Sequence, residues 1–437
     1  MRNASRSAGV VLLLALFELA AVAAQSAPPN VVMIISDDQA WTDFGFMGHA
    51  DIRTPHLDEL ASESLVFTRG YVPTSLCRPS LATLISGLYP HQHRIVGNDP
   101  LKRPGTSRED MLRHIRRIPK LPELLGRKGY VSHQSGKWWE GSHWLGGFNE
   151  GMTHGDPRRG GRHGDEGLKI GREGMQPVLD FIDRSSEKPF FVWYAPFLPH
   201  TPHNPPKRLL KKYVTESRPV ELSRYYAMCE WFDETCGELL AHLDERGLAE
   251  NTLVVFVTDN GWIQRTTSTS VPDDWRFRFA PKSKRSPYDG GLRTPIMLRW
   301  PGRIRAGMSQ KLVSSVDLAP TILAAAGLEP APSMRGINLL NVGNKGKPSD
   351  RAAIFGATYS HDVPEINNPS AGLQYRWSVS GRWKLIVPRD NSAASELYDI
   401  VSDPHEVKNL AGSHAEVIAQ MTKLIDDWWP ARSTPES

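Results

Sequence analysis

Asn30-Val31-Val32-Met33-Ile34-Ile35-Ser36-Asp37-Asp38 is the stretch on which the fold turns. Its apolar run is continuous and rich in β-branched residues, with no alternation of apolar and polar positions. A strand of that kind is buried on both faces, the situation of a strand inside a parallel sheet. Two carboxylates follow it without a spacer. The arrangement recurs: Phe190-Phe191-Val192-Trp193-Tyr194-Ala195 runs toward Pro199-His200-Thr201-Pro202-His203, and Leu253-Val254-Val255-Phe256-Val257-Thr258 runs into Asp259-Asn260-Gly261. Thr54-Pro55 opens a helix through Leu57, Leu60 and Ala61. A long amphipathic helix extends from about Leu222 to Leu243, and Asp317-Leu318-Ala319-Pro320 opens another. Buried strands alternating with helices predict an α/β fold, a large mixed but mostly parallel sheet with helices on both faces. Ligands in such sheets bind beyond the carboxyl ends of the strands, and three strands here place polar groups at that edge.

The chain's two ends read differently. Arg2 and Arg6, the apolar Val10 to Phe17, and the small residues Val22-Ala23-Ala24 form a secretory signal peptide over residues 1–24. Its apolar run is too short for a membrane span, so the expectation is an exported protein, periplasmic or secreted, with no span after cleavage. After about Gly343, short strand-like runs such as Trp383-Lys384-Leu385-Ile386-Val387, and a helix near Trp428 and Trp429, predict a small antiparallel α+β subdomain. The expected division is a catalytic domain over 25–343 and a C-terminal subdomain over 344–437. The 437 residues carry a formal net charge of +4. That is too little to argue for nucleic acid, and it does not oppose an anionic substrate. Cys229 and Cys236 lie two helical turns apart, roughly 10 Å, beyond the ~7 Å reach of a disulfide. No disulfide is expected, and Cys77 has no bonding partner.

Cys77-Arg78-Pro79-Ser80 precedes the apolar Leu81-Ala82-Thr83-Leu84-Ile85-Ser86-Gly87. Pro is favoured at the first helical position, so Cys77 is expected at a helix N-terminus, where free N–H groups attract anions. A buried structural cysteine fits the spacing equally well. Asp37, Asp38, Asp259 and Asn260 form an oxygen-rich set suited to Ca²⁺ or Mg²⁺ rather than zinc, although the same residues are common in turns after strands.

Taken together, these motifs resemble the type I, formylglycine-dependent sulfatases of the alkaline phosphatase superfamily, over nearly the whole mature chain. The resemblance implies that a formylglycine-generating enzyme oxidises Cys77 to formylglycine, whose hydrate is the nucleophile. It implies one divalent cation, Ca²⁺ with Mg²⁺ as the alternative, held by Asp37, Asp38, Cys77, Asp259 and Asn260. Lys137, in Ser135-Gly136-Lys137-Trp138, and Lys284, four residues before Tyr288, match the family's sulfate-binding lysines. His200 matches the histidine at the leaving-group oxygen. The implied reaction is hydrolysis of a sulfate ester on a small molecule or glycan. A phosphoester hydrolase of the same superfamily and a catalytically impaired binder of sulfated glycans are the alternatives. Glu396-Leu397-Tyr398-Asp399-Ile400 and Asp403-Pro404 resemble the family's closing motif and read as structural.

Two positions depart from the pattern. The usual Arg four residues after the modified Cys is Leu81, and the usual His two residues after the lysine is Trp139. His91, His93, His154, His163, Arg158 and Arg162 are candidates to replace the lost charge and base. Trp138, Trp139 and Trp144 read either as a stacking wall for a sugar ring or as core. The polar, basic segment from about Ile263 to Pro287, with Arg265, Arg276, Arg278 and Lys282, reads as a loop near the same edge. Its charges either are solvated or recognise neighbouring anionic groups.

Overall fold

In the computed structural model, β1 (Asn30–Ser36), β4 (Val131–Gly136), β6 (Phe190–Ala195) and β7 (Thr252–Thr258) lie side by side and parallel in the order β4-β6-β1-β7. The structure describes residues 27–102, 106–155, 165–185, 187–341, 351–390 and 393–431. The leader at 1–24, the 343/344 boundary, Arg158, Arg162 and His163 lie outside the described residues. The sheet is completed by β2 (Leu65–Tyr71), β5 (Glu150–Gly151), β8 (Arg293–Arg299) and β9 (Gly307–Ser314), giving the order β5-β4-β6-β1-β7-β8-β2-β9. β8 is antiparallel to both β7 and β2, while every other adjacent pair is parallel. The sheet is therefore mixed and mostly parallel, as the sequence predicts.

Register explains the unbroken apolar runs. Val31 stands opposite Phe191 on one side and Leu253 on the other. Val31, Met33, Ile35, Trp193 and Val255 point into one core, and Val32, Ile34, Val192, Tyr194, Val254 and Phe256 into the other. Each buried aliphatic side chain contributes about 1.5–3 kcal/mol, so alternation with polar residues would sacrifice one core. On the first face sit α2 (Cys77–Ser86), through Leu81, Leu84 and Ile85, and α5 (Leu318–Ala325), through Leu318 and Ile322. On the second sit α1 (Pro55–Ser62), α3 (Gln176–Arg184) and α4 (Val220–Glu245), through Leu57, Phe181, Met228 and Phe232. Cys229 and Cys236 are buried in α4, and all three cysteines are unbonded. Thr54 precedes α1 as expected but does not cap it with its side chain; its hydroxyl donates to Asp58 Oδ1 at 2.9 Å.

The C-terminal region forms a second, antiparallel sheet. Its strands β10 (Ile354–Tyr359), β12 (Leu373–Ser380), β13 (Trp383–Pro388) and β14 (Glu396–Asp399) lie in that order. The final helix, α6 (Ala415–Trp428), buries Met421 and Ile425 against Leu385 and Leu397. A buried ion triad joins this sheet to the first: Lys384 Nζ lies 2.7 Å from Asp289 Oδ1, just before β8, and 2.7 Å from Glu406 Oε1. Tyr288 donates to Glu396 Oε2 at 2.9 Å, so the closing motif takes part in holding the sheets together. One short strand leaves this region. β11 (Asp362–Val363) pairs in parallel with β3 (Asp99–Pro100), Asp362 opposite Asp99. Among the described residues no helix is long and apolar enough to cross a membrane.

Candidate active site

Because four neighbouring strands are parallel, their carboxyl ends share one edge. β4 delivers Lys137, β6 leads to His200, β1 delivers Asp37 and Asp38, and β7 delivers Asp259 and Asn260. The chain turns sharply to do this. Gly136 has φ +87°, and a Cβ there would stand 1.9 Å from the Ala195 carbonyl oxygen. That close approach, which only glycine permits, lets the Lys137 N–H donate to Ala195 O at 2.6 Å. Asp38 also adopts a left-handed conformation, φ +60°. It is held there by its N–H donating to Asp259 Oδ1 at 3.1 Å.

The predicted residues converge. Lys137 Nζ donates to both oxygens of Asp37 at 2.7 Å and lies 3.6 Å from Asp259 Oδ2. Lys284 Nζ donates to Asp38 Oδ1 and Oδ2 at 2.6 and 2.7 Å. Asn260 Nδ2 reaches Asp38 Oδ1 at 2.7 Å, and His200 Nε2 stands 3.3 Å from Asp38 Oδ2. Cys77 opens α2 with 1% exposure. The helix begins there rather than at Pro79, because Ser80 N–H already donates to Leu76 O at 3.1 Å. Pro79 still lies in the first turn, where its missing N–H leaves no helical bond unmade.

Burial dominates the electrostatics. It pushes the Asp37 carboxyl well above the usual range against the opposing pull of Lys137, and it raises Asp259 too. At Asp38 burial acts upward, but Lys284, His200 and Lys137 outweigh it, leaving a pKa of about 2. Burial works against both ammonium groups, and the carboxylates more than compensate, so Lys137 and Lys284 remain charged. Burial holds His200 well below the usual imidazole range, opposed by Asp38. Burial also raises the Cys77 thiol, opposed by Lys137 and Lys284. Burial thus disfavours the thiolate form of the unmodified side chain.

Two atoms in this cluster are conspicuous. Asp259 Oδ2 and Asn260 Oδ1 are buried without a hydrogen-bond partner. Such an atom costs roughly 1–3 kcal/mol unless something fills the role. Asp37, Asp38 and His200 also offer donor atoms within 4.8 Å of one another. An oxygen-dominated donor set with two unsatisfied oxygens fits a hard divalent cation. Stripping the protein with a chelator and then titrating Ca²⁺ or Mg²⁺ is expected to raise thermal stability, by about 2.7 kcal/mol at a hundredfold excess over Kd. Asp259→Ala is expected to lose that shift. Melting that neither cation alters would remove the metal from the site.

Neither departure leaves a polar group in the expected place. Leu81 is 2% exposed and Trp139 2%, both within the core on the α2 side of the sheet. Trp138 is buried edge-on to Trp193 and Phe148, whereas Trp144 is 66% exposed, so the three tryptophans form no common wall. Trp139 instead lies near charge, its ring centroid 5.8 Å from Lys137 Nζ and 5.7 Å from the Arg108 guanidinium. His91 is stacked on Trp429 at 4.7 Å, and His93 is engaged by Thr83 Oγ1 and Ile95 N–H, so both serve packing. His154 lies against His143. Arg78 points away from the edge, into a buried pair with Glu140 at 2.5 and 2.9 Å. In the basic loop, Arg265 donates to Trp275 O and Phe277 O, and Lys282 to Glu406 O, while Arg276 and Arg278 are exposed. One neighbour of Cys77 carries no sequence signal: Asn98, 4% exposed, whose Nδ2 lies 3.7 Å from Cys77 Sγ.

The family model described as Sulfatase matches residues 29–328, and one described as N-sulphoglucosamine sulphohydrolase, C-terminal, matches 279–429. Human N-acetylgalactosamine-6-sulfatase is 31% identical over 395 residues, 82% of this chain and 73% of that protein. Human arylsulfatase A is 28% identical over 480 residues, covering 94% and 89%. A structure solved in complex with its substrate D-glucosamine-2-N,6-O-disulfate superposes with a TM-score of 0.71 at 20% identity, over 92% of this chain and 98% of that one. At that identity the likeness concerns the fold.

Proposed function

The chain belongs to the sulfatase family and is a sulfuric ester hydrolase, and from that premise we propose that it removes sulfate from a carbohydrate, using Cys77 after conversion to formylglycine. The observation that carries the proposal is the position of Cys77. It stands buried at the start of α2, within electrostatic reach of Lys137, Lys284, Asp38 and Asp259. That is the position at which the resemblance puts the residue converted to formylglycine. That conversion requires a formylglycine-generating enzyme, and the leader read at 1–24 supports an exported mature protein. The carbohydrate reading is supported by the relative named for N-acetylgalactosamine-6-sulfate.

The residues divide the work. Hydrated formylglycine offers two hydroxyls on one carbon, one to attack sulfur and one to expel sulfate and restore the aldehyde. Asp37, Asp38, Asp259 and Asn260, with position 77, would hold a divalent cation, Ca²⁺ or Mg²⁺, which supplies positive charge to the sulfate oxygens. Lys137 and Lys284, buried cations at the same edge, would bind the sulfate oxygens, where negative charge is being redistributed. His200 Nδ1 donates to Thr201 O at 2.6 Å. That leaves Nε2, 3.3 Å from Asp38 Oδ2, to take up a second proton, and the imidazolium form, which Asp38 favours against burial, would give that proton to the departing alcohol oxygen.

Mass spectrometry of the tryptic peptide from Gly70 to Arg94, from a host with a formylglycine-generating system, tests the modification. A peptide lighter than the thiol form by about one water is expected. Parallel assays on sulfated and phosphorylated carbohydrates test the substrate. Full sulfate release from thiol-form protein would overturn the nucleophile, and release of phosphate alone would overturn the substrate class.

A further inference from the structure

With Leu81 and Trp139 both in the core, the nucleophile must be oriented by something other than the usual guanidinium and imidazole. We propose that Asn98 is a catalytic residue that holds the side chain at position 77 by a hydrogen bond, and that His361 and Asp362, supplied by the C-terminal region, are its positioning residues. The proposal rests on the function argued above.

The orientation of the Asn98 amide is fixed by its surroundings. Its Oδ1 accepts the Arg78 N–H at 3.4 Å, and a backbone N–H can only donate. Nδ2 is therefore the atom directed at Cys77 Sγ, 3.7 Å away, and at His361 Nε2, 3.3 Å away. An amide nitrogen has two hydrogens, and here there are two acceptors for them. His361 Nε2 must then be unprotonated, and its Nδ1 carries the proton and donates it to Asp362 Oδ1 at 2.6 Å. Each group in the series position 77–Asn98–His361–Asp362 is left a single role.

The backbone locks the same arrangement. Asn98 N–H donates to His361 O at 2.8 Å, and Leu101 N–H to Val363 O at 3.1 Å. Asp362 stands opposite Asp99 in the β3–β11 pair. The two segments approach so closely at Gly97 that a Cβ would stand 2.7 Å from the His361 carbonyl oxygen. Arg108 anchors the remaining Asn98 acceptor, donating to its carbonyl at 2.8 Å. A short strand from the C-terminal region is thereby carried to the nucleophile.

Sγ in this structure stands where one oxygen of the hydrated side chain would be. Oxygen accepts an N–H hydrogen bond at shorter range than sulfur does, so the contact tightens after conversion. Holding that oxygen favours the hydrate over the free aldehyde and leaves the second hydroxyl to face sulfur.

The test uses the full-length protein from a modifying host, with conversion at position 77 measured by peptide mass in every variant. Asn98→Ala is expected to lower kcat by about 10²-fold, the scale of removing one positioned donor, with KM changed less than about threefold. Its aldehyde is expected to react faster with an aminooxy probe, because less of it is hydrated; that reading needs neither turnover nor metal. His361→Ala is expected to lower kcat about tenfold. His361→Gln, whose Oε1 can accept the same hydrogen bond, is expected to recover most of that loss. Modified wild-type protein that releases sulfate, with Asn98→Ala unchanged in both kcat and probe rate, overturns this inference alone. So does a His361→Gln protein as slow as His361→Ala. Unmodified Cys77 in wild-type protein overturns this inference together with the function it rests on.

Discussion

Cys77→Ala is expected to abolish sulfate release, by about 10⁴-fold or more, the scale on which removing a catalytic nucleophile acts. The protein should fold as before. The substitution deletes one sulfur atom from a position that is 1% exposed and whose side chain accepts a long hydrogen bond from Asn98. A deletion of that size in a core costs about 1 kcal/mol. Helix α2 keeps its start, since the bond from Ser80 N–H to Leu76 O involves only backbone. The aspartates, Asn260 and both lysines are untouched, so a divalent cation should still raise the melting temperature. The measurement is sulfate release from a sulfated carbohydrate, beside melting with and without Ca²⁺. Activity within tenfold of wild type would end the nucleophile assignment. Lost activity together with lost cation stabilisation would instead make Cys77 chiefly a metal ligand.

The edge that carries the candidate site was legible because its physics is local. An unbroken apolar run reports burial on both faces, and Asp37-Asp38 and Asp259-Asn260 follow two such runs directly. Adjacent parallel strands then bring those ends together without further instruction. What the sequence concealed depends on distant partners. Asn98 and His361 are 263 residues apart and meet through strands two residues long, too short to leave any periodicity. The tryptophans illustrate a second limit. Trp138, Trp139 and Trp144 share one composition signal, yet burial separates them, two in the core and one on the surface. The start of α2 was placed two residues late because proline tolerates any position in the first turn, not only the first. Nothing in the sequence identified Glu140 as the partner of Arg78.

That pair gives the largest expected effect on stability. Arg78 and Glu140 are 1% and 2% exposed and joined by two hydrogen bonds of 2.5 and 2.9 Å. Arg78 also donates to the carbonyls of Gly97 and Met111, at 2.9 and 3.3 Å. Arg78→Met leaves the Glu140 carboxylate buried without its counter-ion. Breaking a buried pair from one side costs about 3–5 kcal/mol. The double variant Arg78→Met/Glu140→Leu removes both charges and should recover a large part of that loss, because desolvating the pair already offset much of its attraction. Recovery should stay incomplete, since the two carbonyls still lack a donor. Urea unfolding of the three proteins checks this. A single variant within 1 kcal/mol of wild type, or a double variant no better than the single, would show that the pair is not the stabilising contact proposed. Activity should follow a different order from stability. Arg78 holds Gly97 while its own N–H holds Asn98 Oδ1. Both variants loosen the loop that carries Asn98 to the nucleophile, so the double variant should regain stability without regaining kcat.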